Sequence, residues 1–480
     1  MKGFLTGLIG LLLISTAVTF LLIPDAGSDG RTPLVWVTDS NPQRDPQVEW
    51  FNKLNPDCAL RIDPDNSGVM KVIVQCSAGV GPDIIGHVTD STLATYRDAG
   101  VLLDVTEAAQ EMGFGPETLP PGARHLVMLP DPETLEMRQY CYPANISNTI
   151  LIYNKDLFDA AGVPYPSMDL TWDEYIALGK KLTRHEGESP QFPVVFGAAG
   201  ATLQHVLWCH EADVINQDGT RCTLSSKQAL DACVFYHELF FKHGVEPTPT
   251  QRSGVTSQGG WGGGSYWSWF GEGRVAMFFG ARWMLIQLRR HFTEQLGEGR
   301  TVPRMGACLV PRLADGRRYS PSGARGIGVN AMGPNKDKAL RFLQYLTSET
   351  YCRLINEGAD AMPGNKDYIS MQHFRHPDWP GEEEIHQTTI DSIPYSRSQA
   401  RSLFIDNASY GRALKQVQEN LIANADLTRE EIARMLQRTA KKVDDEIARN
   451  IERNPHLRRA YDRMLSRGAA PMARTAENGS

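Results

Sequence analysis

The stretch "ILIYNKDLFDAAGVPYPSMDLTWDEY" (150–175) constrains the fold more than any other part of the chain. Ile150 to Tyr153 form an apolar, β-like run that gives way to a helix at Asn154-Lys155. Two prolines follow, and Thr171-Trp-Asp-Glu174 then makes a capping box that starts a second helix, because Thr171 and Glu174 can satisfy orphan amides reciprocally. The preceding "QYCYPANISNT" leads the chain out of one sheet, so a new element begins here.

Upstream, strands and helices alternate. "PLVWVTDSN" (33–41) alternates like a strand, and Asp45-Pro46 reads as an N-cap followed by a first-turn proline. "ALRID" and "PDIIGHVTD" (82–90) are further strands, with "VMKVIVQCSAG" an apolar segment between them. This is the pattern of a parallel or mixed sheet covered on its faces, an α/β fold. Downstream, helices dominate from 171 to 245, with a second capping box expected at Ser225 and Gln228. "RVAMFFG", "MGACLVPRL" and "RGIGVNAM" read as strands. "NKDKALRFLQYLTSETYCRLI" reads as a helical pair, and Thr428 with Glu431 starts a long charged helix.

At 480 residues the chain exceeds one ordinary core, so two or three domains or a two-lobed unit are expected. The net charge of -7 and the lack of a basic patch in the first 400 residues argue against a nucleic-acid partner. Residues 4–23, "FLTGLIGLLLISTAVTFLLI", are uncharged and long enough to cross a bilayer. They predict an N-terminal transmembrane or signal helix, read as an uncleaved signal-anchor with cleavage as the alternative. Lys2 inside leaves the bulk outside. In that disulfide-permissive compartment the eight cysteines predict at most one or two bridges, with Cys209, Cys222 and Cys233 the favoured members.

Catalytic and metal motifs are weak. "GIGVNA" (326–331) loosely matches a dinucleotide fingerprint but reads as a strand rather than as a turn opening a helix. "HVLWCHEAD" (205–213) offers His205 and Cys209 four residues apart, yet no further ligand set has matching spacing. No cofactor, metal or catalytic group is expected. The tryptophans say more: Trp261, Trp267 and Trp269 lie in or beside a Gly/Ser-rich stretch, Trp283 follows "FFGAR", and Trp208 has a polar helical context. As a set they predict an exposed aromatic face of the kind that stacks on a sugar ring, although any one alone would more simply be core.

"PDIIGHVTDSTLATYRDAGVLLDVT", residues 150–175 with their approach, "FGEGRVAMFFGARWMLIQLR" and "SGARGIGVNAMGPNKDKALRFLQYLTSE" together resemble the extracellular solute-binding proteins of ABC importers, specifically the carbohydrate-binding, maltose-binding-like group. The likeness covers roughly residues 33–450. It implies a two-lobed periplasmic-binding-protein fold (type II-like), each lobe a sheet flanked by helices, with residues 150–175 marking the crossing between lobes. The divisions implied are a signal-anchor and linker (1–30), the first part of lobe 1 (31–145), mainly lobe 2 (146–320) and shared return segments (321–450). A basic helical extension and tail (451–480) reaches past the family's usual terminal helix.

The resemblance also implies a ligand cleft between lobes that closes about a hinge. By position its loops would carry Asp39 and Asn41 after the first strand, Thr89 and Asp90 after "DIIGHV", and Asn145 and Asn148 before the crossing. Trp208, Trp267, Arg282 and Trp283 would come from the second lobe, and Gly323 and Arg325 from the segment before "GIGV". Carboxylates and amides would bond hydroxyls, arginines would donate in fork geometry and indoles would stack. The implied function is a monomeric, non-enzymatic receptor outside the cytoplasmic membrane, delivering a sugar or oligosaccharide to ABC permease subunits. A membrane-anchored glycan-active enzyme, or a receptor for another small solute or a metal, is the alternative.

Overall fold

A computed structural model describes residues 30–64, 68–184, 195–253, 266–374 and 379–466. The apolar run 4–23, Trp261 and the tail after 466 lie outside these residues. Strand β1 (Thr32–Val37) is paired in parallel with β2 (Cys58–Asp63) along one edge and with β3 (Ile84–Val88) along the other. Having neighbours on both sides suits its apolar sequence, and Leu34, Trp36 and Val37 are buried. Helices Arg44–Leu54 and Val69–Ser77 make the connections. A short hairpin, β4 (Met128–Pro130) and β5 (Met137–Gln139), precedes β6 (Tyr142–Asn148).

β6 belongs to the first sheet, whereas β7 (Ile150–Asn154) is the middle strand of a second, three-stranded sheet. Its antiparallel neighbours are β8 (Met277–Gly280) and β9 (Met305–Cys308), and all five β7 residues are buried. Thr149 alone separates β6 from β7. The chain returns through β10 (Ser320–Val329), which runs antiparallel to both β3 and β6, and later through β11 (Ser396–Arg397), parallel to the start of β10. The passages are tied side by side: Thr149 N–H donates to Pro321 O (2.8 Å), and Ser320 Oγ donates to Thr149 O (2.7 Å). Asn148 Nδ2 donates to Ser396 Oγ at 2.7 Å. The chain is therefore a two-lobed α/β protein whose sheets are joined by short, mutually bonded links.

The abrupt helix start after β7 follows from Asn154, whose side chain accepts from Asp156 N and Leu157 N at the head of helix Lys155–Ala161. Thr171/Glu174 and Thr428/Glu431 both form complete capping boxes. The box expected at Ser225 and Gln228 is displaced, because Ser226 is the cap and its side chain accepts from Ala229 N. Helix Arg44–Leu54 likewise begins before the expected Asp45-Pro46 cap. Arg44 is drawn into buried ion pairs, leaving Asp45 and Pro46 in the first turn, where an acid and a proline are both tolerated.

Two further expectations are corrected. All eight cysteines are buried and unpaired. Burial pushes the Cys222 and Cys233 thiols up to about 12, and Cys209 receives the Trp172 indole N–H at 3.4 Å, so these three pack as small apolar side chains. Trp267 and Trp269 do not present an exposed face. They sit in helix Tyr266–Gly271, buried with Phe270, Phe278 and Leu288, and Trp269 stacks on Phe196 at 5.5 Å between ring centroids. The local composition reads as loop, but a sheet edge nearby supplies the core that the loop lacks.

Candidate functional site

The chain leaves β1 to one side for β2 and returns on the other side for β3, which makes the gap between β1 and β3 a topological switch point. In open α/β sheets the crevice outside the carboxyl ends of such strands receives ligands. Thr38, Asp39 and Asn41 follow β1, and Thr89 and Asp90 follow β3. A cavity of about 380 Å³ opens at these ends, lined by Val37, Gly86, His87, Thr89, Thr92 and Tyr96 with Gly68, Val69 and Val72 at the start of helix Val69–Ser77. That volume lies in the range of small-molecule sites. Gly86 permits the close approach, because a Cβ there would lie 2.2 Å from Val37 O. A second cavity, about 580 Å³ and lined by Glu349, Arg353, Tyr368 and Phe374 among others, includes no residue of these strand ends.

Beside the crevice four charges are buried together. Arg44 Nε donates to Asp39 Oδ1 (2.7 Å) and Arg44 Nη1 to Asp360 Oδ2 (2.5 Å). Arg325 Nη1 reaches Thr38 Oγ1 (3.2 Å) and Asp39 Oδ1 (3.4 Å), and its Nη2 lies 3.7 Å from Asp360. His87 Nε2 stands 3.5 Å from Asp39. Burial alone would push the Asp39 carboxyl up, but the His87 imidazole and the guanidiniums of Arg325 and Arg44 outweigh it and hold the carboxyl well below the usual range. Asp360 is lowered in the same way, burial being outweighed by Arg44 and Arg325. The backbone here is strained as well: His87, Ala359 and Ala361 have φ of 54°, 55° and 62°.

Donors outnumber acceptors around this quartet. Trp36 Nε1, Asn41 Nδ2, Gln47 Nε2 and Arg325 Nε are buried without a hydrogen-bond acceptor among the described residues. Asn145 lies opposite Arg325, and Gly323 opposite Ser147, in the β6–β10 ladder. The structure thus places Asp39 against Arg325, Asn145 opposite Arg325 in the ladder and Asn41 two residues beyond Asp39, with Thr89 at the neighbouring strand end and in the cavity lining.

The family model for bacterial extracellular solute-binding proteins matches residues 40–351, about two-thirds of the chain. The chain belongs to this family. A binding protein of Brucella abortus is 24% identical over 380 residues, 78% of this chain and 83% of its own. The solved ABC substrate-binding protein of Listeria monocytogenes in complex with cycloalternan superposes with a TM-score of 0.70 at 22% identity, covering 87% of this chain and 99% of its own. The glycerophosphocholine complex of a Mycobacterium tuberculosis protein gives 0.66 at 16% identity, covering 88% and 100%.

The remaining expected residues of this solute-binding protein are placed elsewhere. Asp90 is ion-paired with Arg401, and its carbonyl accepts from Asn407. Asn148 is held at the link between the sheets by Ser392 and Ser396. Trp208 is buried with its Nε1 on Asp213 (3.0 Å), and the Arg397 guanidinium lies between the Trp208 ring (5.0 Å) and the Tyr319 ring (4.6 Å). Arg282 is buried, donating to His386 Nδ1 (3.0 Å), Asn356 O (2.7 Å) and Ala361 O, with Phe374 beneath it at 4.2 Å. Burial, with Arg289 nearby, lowers its pKa to about 9. Trp283 is half-buried on the adjoining turn. Sequence reasoning missed Arg44, His87 and Asp360. Asp360 lies 316 residues from Arg44, and nothing local in the stretch "EGADAMPGN" marks it.

Two outcomes follow. Replacing Arg282 by Met should cost about 1–3 kcal/mol of stability, because buried acceptors lose their donor. A thermal melt of Arg282→Met within a degree or two of wild type would contradict this. Asp39 has a lowered folded pKa, so its contribution is complete above the unfolded carboxylate value of about 4 and is lost as pH falls towards the lower folded value. Asp39→Asn should therefore be less stable at pH 7, with a flatter stability profile below about pH 4, measured by denaturant titration.

Proposed function

We propose that this solute-binding protein is a receptor for a neutral sugar or oligosaccharide, working with an ABC permease outside the cytoplasmic membrane, as a monomer and without catalytic turnover. The observation that carries the reading is the charge balance of the wall. Two carboxylates and two guanidiniums neutralise one another beside the crevice, while indole, amide and guanidinium N–H groups remain without acceptors. A wall without net charge and rich in donors favours hydroxyl oxygens over an ion, since an ion would meet an equal and opposite pair. The ligand of the Listeria relative, cycloalternan, fits that chemistry. The glycerophosphocholine of the Mycobacterium relative keeps a zwitterionic glycerol ester as the second reading.

On this reading Asn41, Thr89, Asn145 and Arg325 meet the ligand, with Asp39 orienting Arg325, and Trp283 supplies the aromatic surface from the second lobe. Residues 4–23 tether the protein to the membrane.

A panel of neutral oligosaccharides and glycerophosphodiesters, read by thermal shift, tests the ligand class. A sugar at about a hundred times its dissociation constant should add ~2.7 kcal/mol without being consumed. Stabilisation by glycerophosphodiesters alone would replace the sugar reading with the second one, and product formation would overturn the receptor reading. For the tether, protein from its own host should sediment with membranes and retain Met1 or Lys2. A soluble form whose N-terminus lies near Gly27 would show cleavage instead.

A further inference from the structure

We propose that the chain carries a latch, built on Arg401 and the terminal helix Pro455–Ser466, that holds the two lobes together before any ligand arrives. Arg401 stands on a segment rooted in the second lobe. Ser402 Oγ donates to Gly219 O (2.6 Å), Asn450 Nδ2 donates to Phe404 O (2.9 Å), and Phe404 and Ile405 are buried in the second-lobe core. From that root the guanidinium reaches across to the first lobe. Its Nη1 donates to His125 O and Met128 O at 2.7 Å each, and its Nη2 to Leu126 O (3.3 Å) and to the Asp90 carboxylate. Asn407, the first residue of helix Asn407–Ala423, adds a bond to Asp90 O.

A second grip lies beside the first. The tip of the β4–β5 hairpin offers Pro132 O, which accepts from Arg463 Nη2 (3.1 Å), and Glu133, which meets His456 Nδ1 at 3.0 Å. Leu135 of the same tip packs against the second-lobe cluster although its φ is 62°, a conformation leucine rarely adopts. The terminal helix is itself anchored by fully buried Ala460 and by Tyr461, which meets the Phe404 ring edge-on at 5.6 Å.

The two grips differ in strength. His456 and Glu133 are both more than half exposed, so their ion pair adds little. The Arg401 and Asp90 side chains are only 12% and 16% exposed, and one planar cation satisfies four acceptors there. Opening the lobes would strand those acceptors and the Asp90 charge together. Arg401 and the terminal helix both follow residue 351, outside the stretch shared with the family model. Their effect is to set the fraction of unliganded protein that is already closed, which scales the apparent affinity for whatever ligand the crevice takes.

The test needs no ligand, so it stands or falls separately from the sugar reading. All eight native cysteines are buried, so spin labels can be placed on Glu107→Cys in the first lobe and Lys227→Cys in the second, both exposed positions. Without ligand the otherwise native protein should give one narrow distance distribution. Arg401→Ala should add a longer, broader population, and Asp90→Asn should shift the distribution in the same direction. Asp90→Asn also serves as the reading if Arg401→Ala fails to fold in a thermal melt. A distribution that is already broad in the native chain, or one unchanged in the folded variants, would overturn the latch.

Discussion

The buried quartet of Asp39, Arg44, Asp360 and Arg325 is the constraint on which the first lobe depends. It ties together the end of β1, the first helix, β10 and the turn after helix Glu349–Glu357. Removing any one charge leaves a buried net charge that the remaining three cannot balance, which is why such clusters resist piecemeal change. The same balance makes the adjacent crevice neutral. On the proposed reading, structure and recognition draw on one set of side chains.

The link between lobes rests on different physics. Thr149, Ser320 and Pro321 bond backbone to backbone or hydroxyl to backbone, and Asn148 adds amide-to-hydroxyl bonds. These contacts fix where the chain crosses. Around them lie cations held by carbonyls, acids and rings: Arg282 on Asn356 and Ala361, and Arg397 between Trp208 and Tyr319. Arginine suits such places because its planar fork can satisfy several fixed acceptors and lie flat on an aromatic face. That is also why Arg282, placed in the ligand cleft by family likeness, is held as a structural tie.

Local devices were legible in the chain itself. Asn154, Thr171 and Thr428 announce helix starts because a cap depends on residues three apart. Apolar runs such as Ile150–Tyr153 announce buried strands. Composition misled where the partner was distant. The Gly/Ser-rich surroundings of Trp267 and Trp269 read as an exposed loop, yet Phe196 and Phe278 from other elements cover them. Spacing similarly said nothing reliable about Cys209, Cys222 and Cys233, since burial in separate parts of a large core leaves thiols unpaired.

The sequence by itself determined the alternation of strands and helices, the capped boundaries, the likeness to solute-binding proteins and the strand ends where a crevice could form. Those features depend on neighbours a few residues apart or on a pattern repeated along the chain. Tertiary structure alone decided that Asp39 would meet Arg325, that Arg44 would meet Asp360, that Asp90 would meet Arg401, and that Arg282 would be enclosed. Each of those pairings spans more than 70 residues. Charges so far apart in sequence find one another only after both sheets have packed, because only a water-poor interior makes such pairs both costly to break and selective for partner.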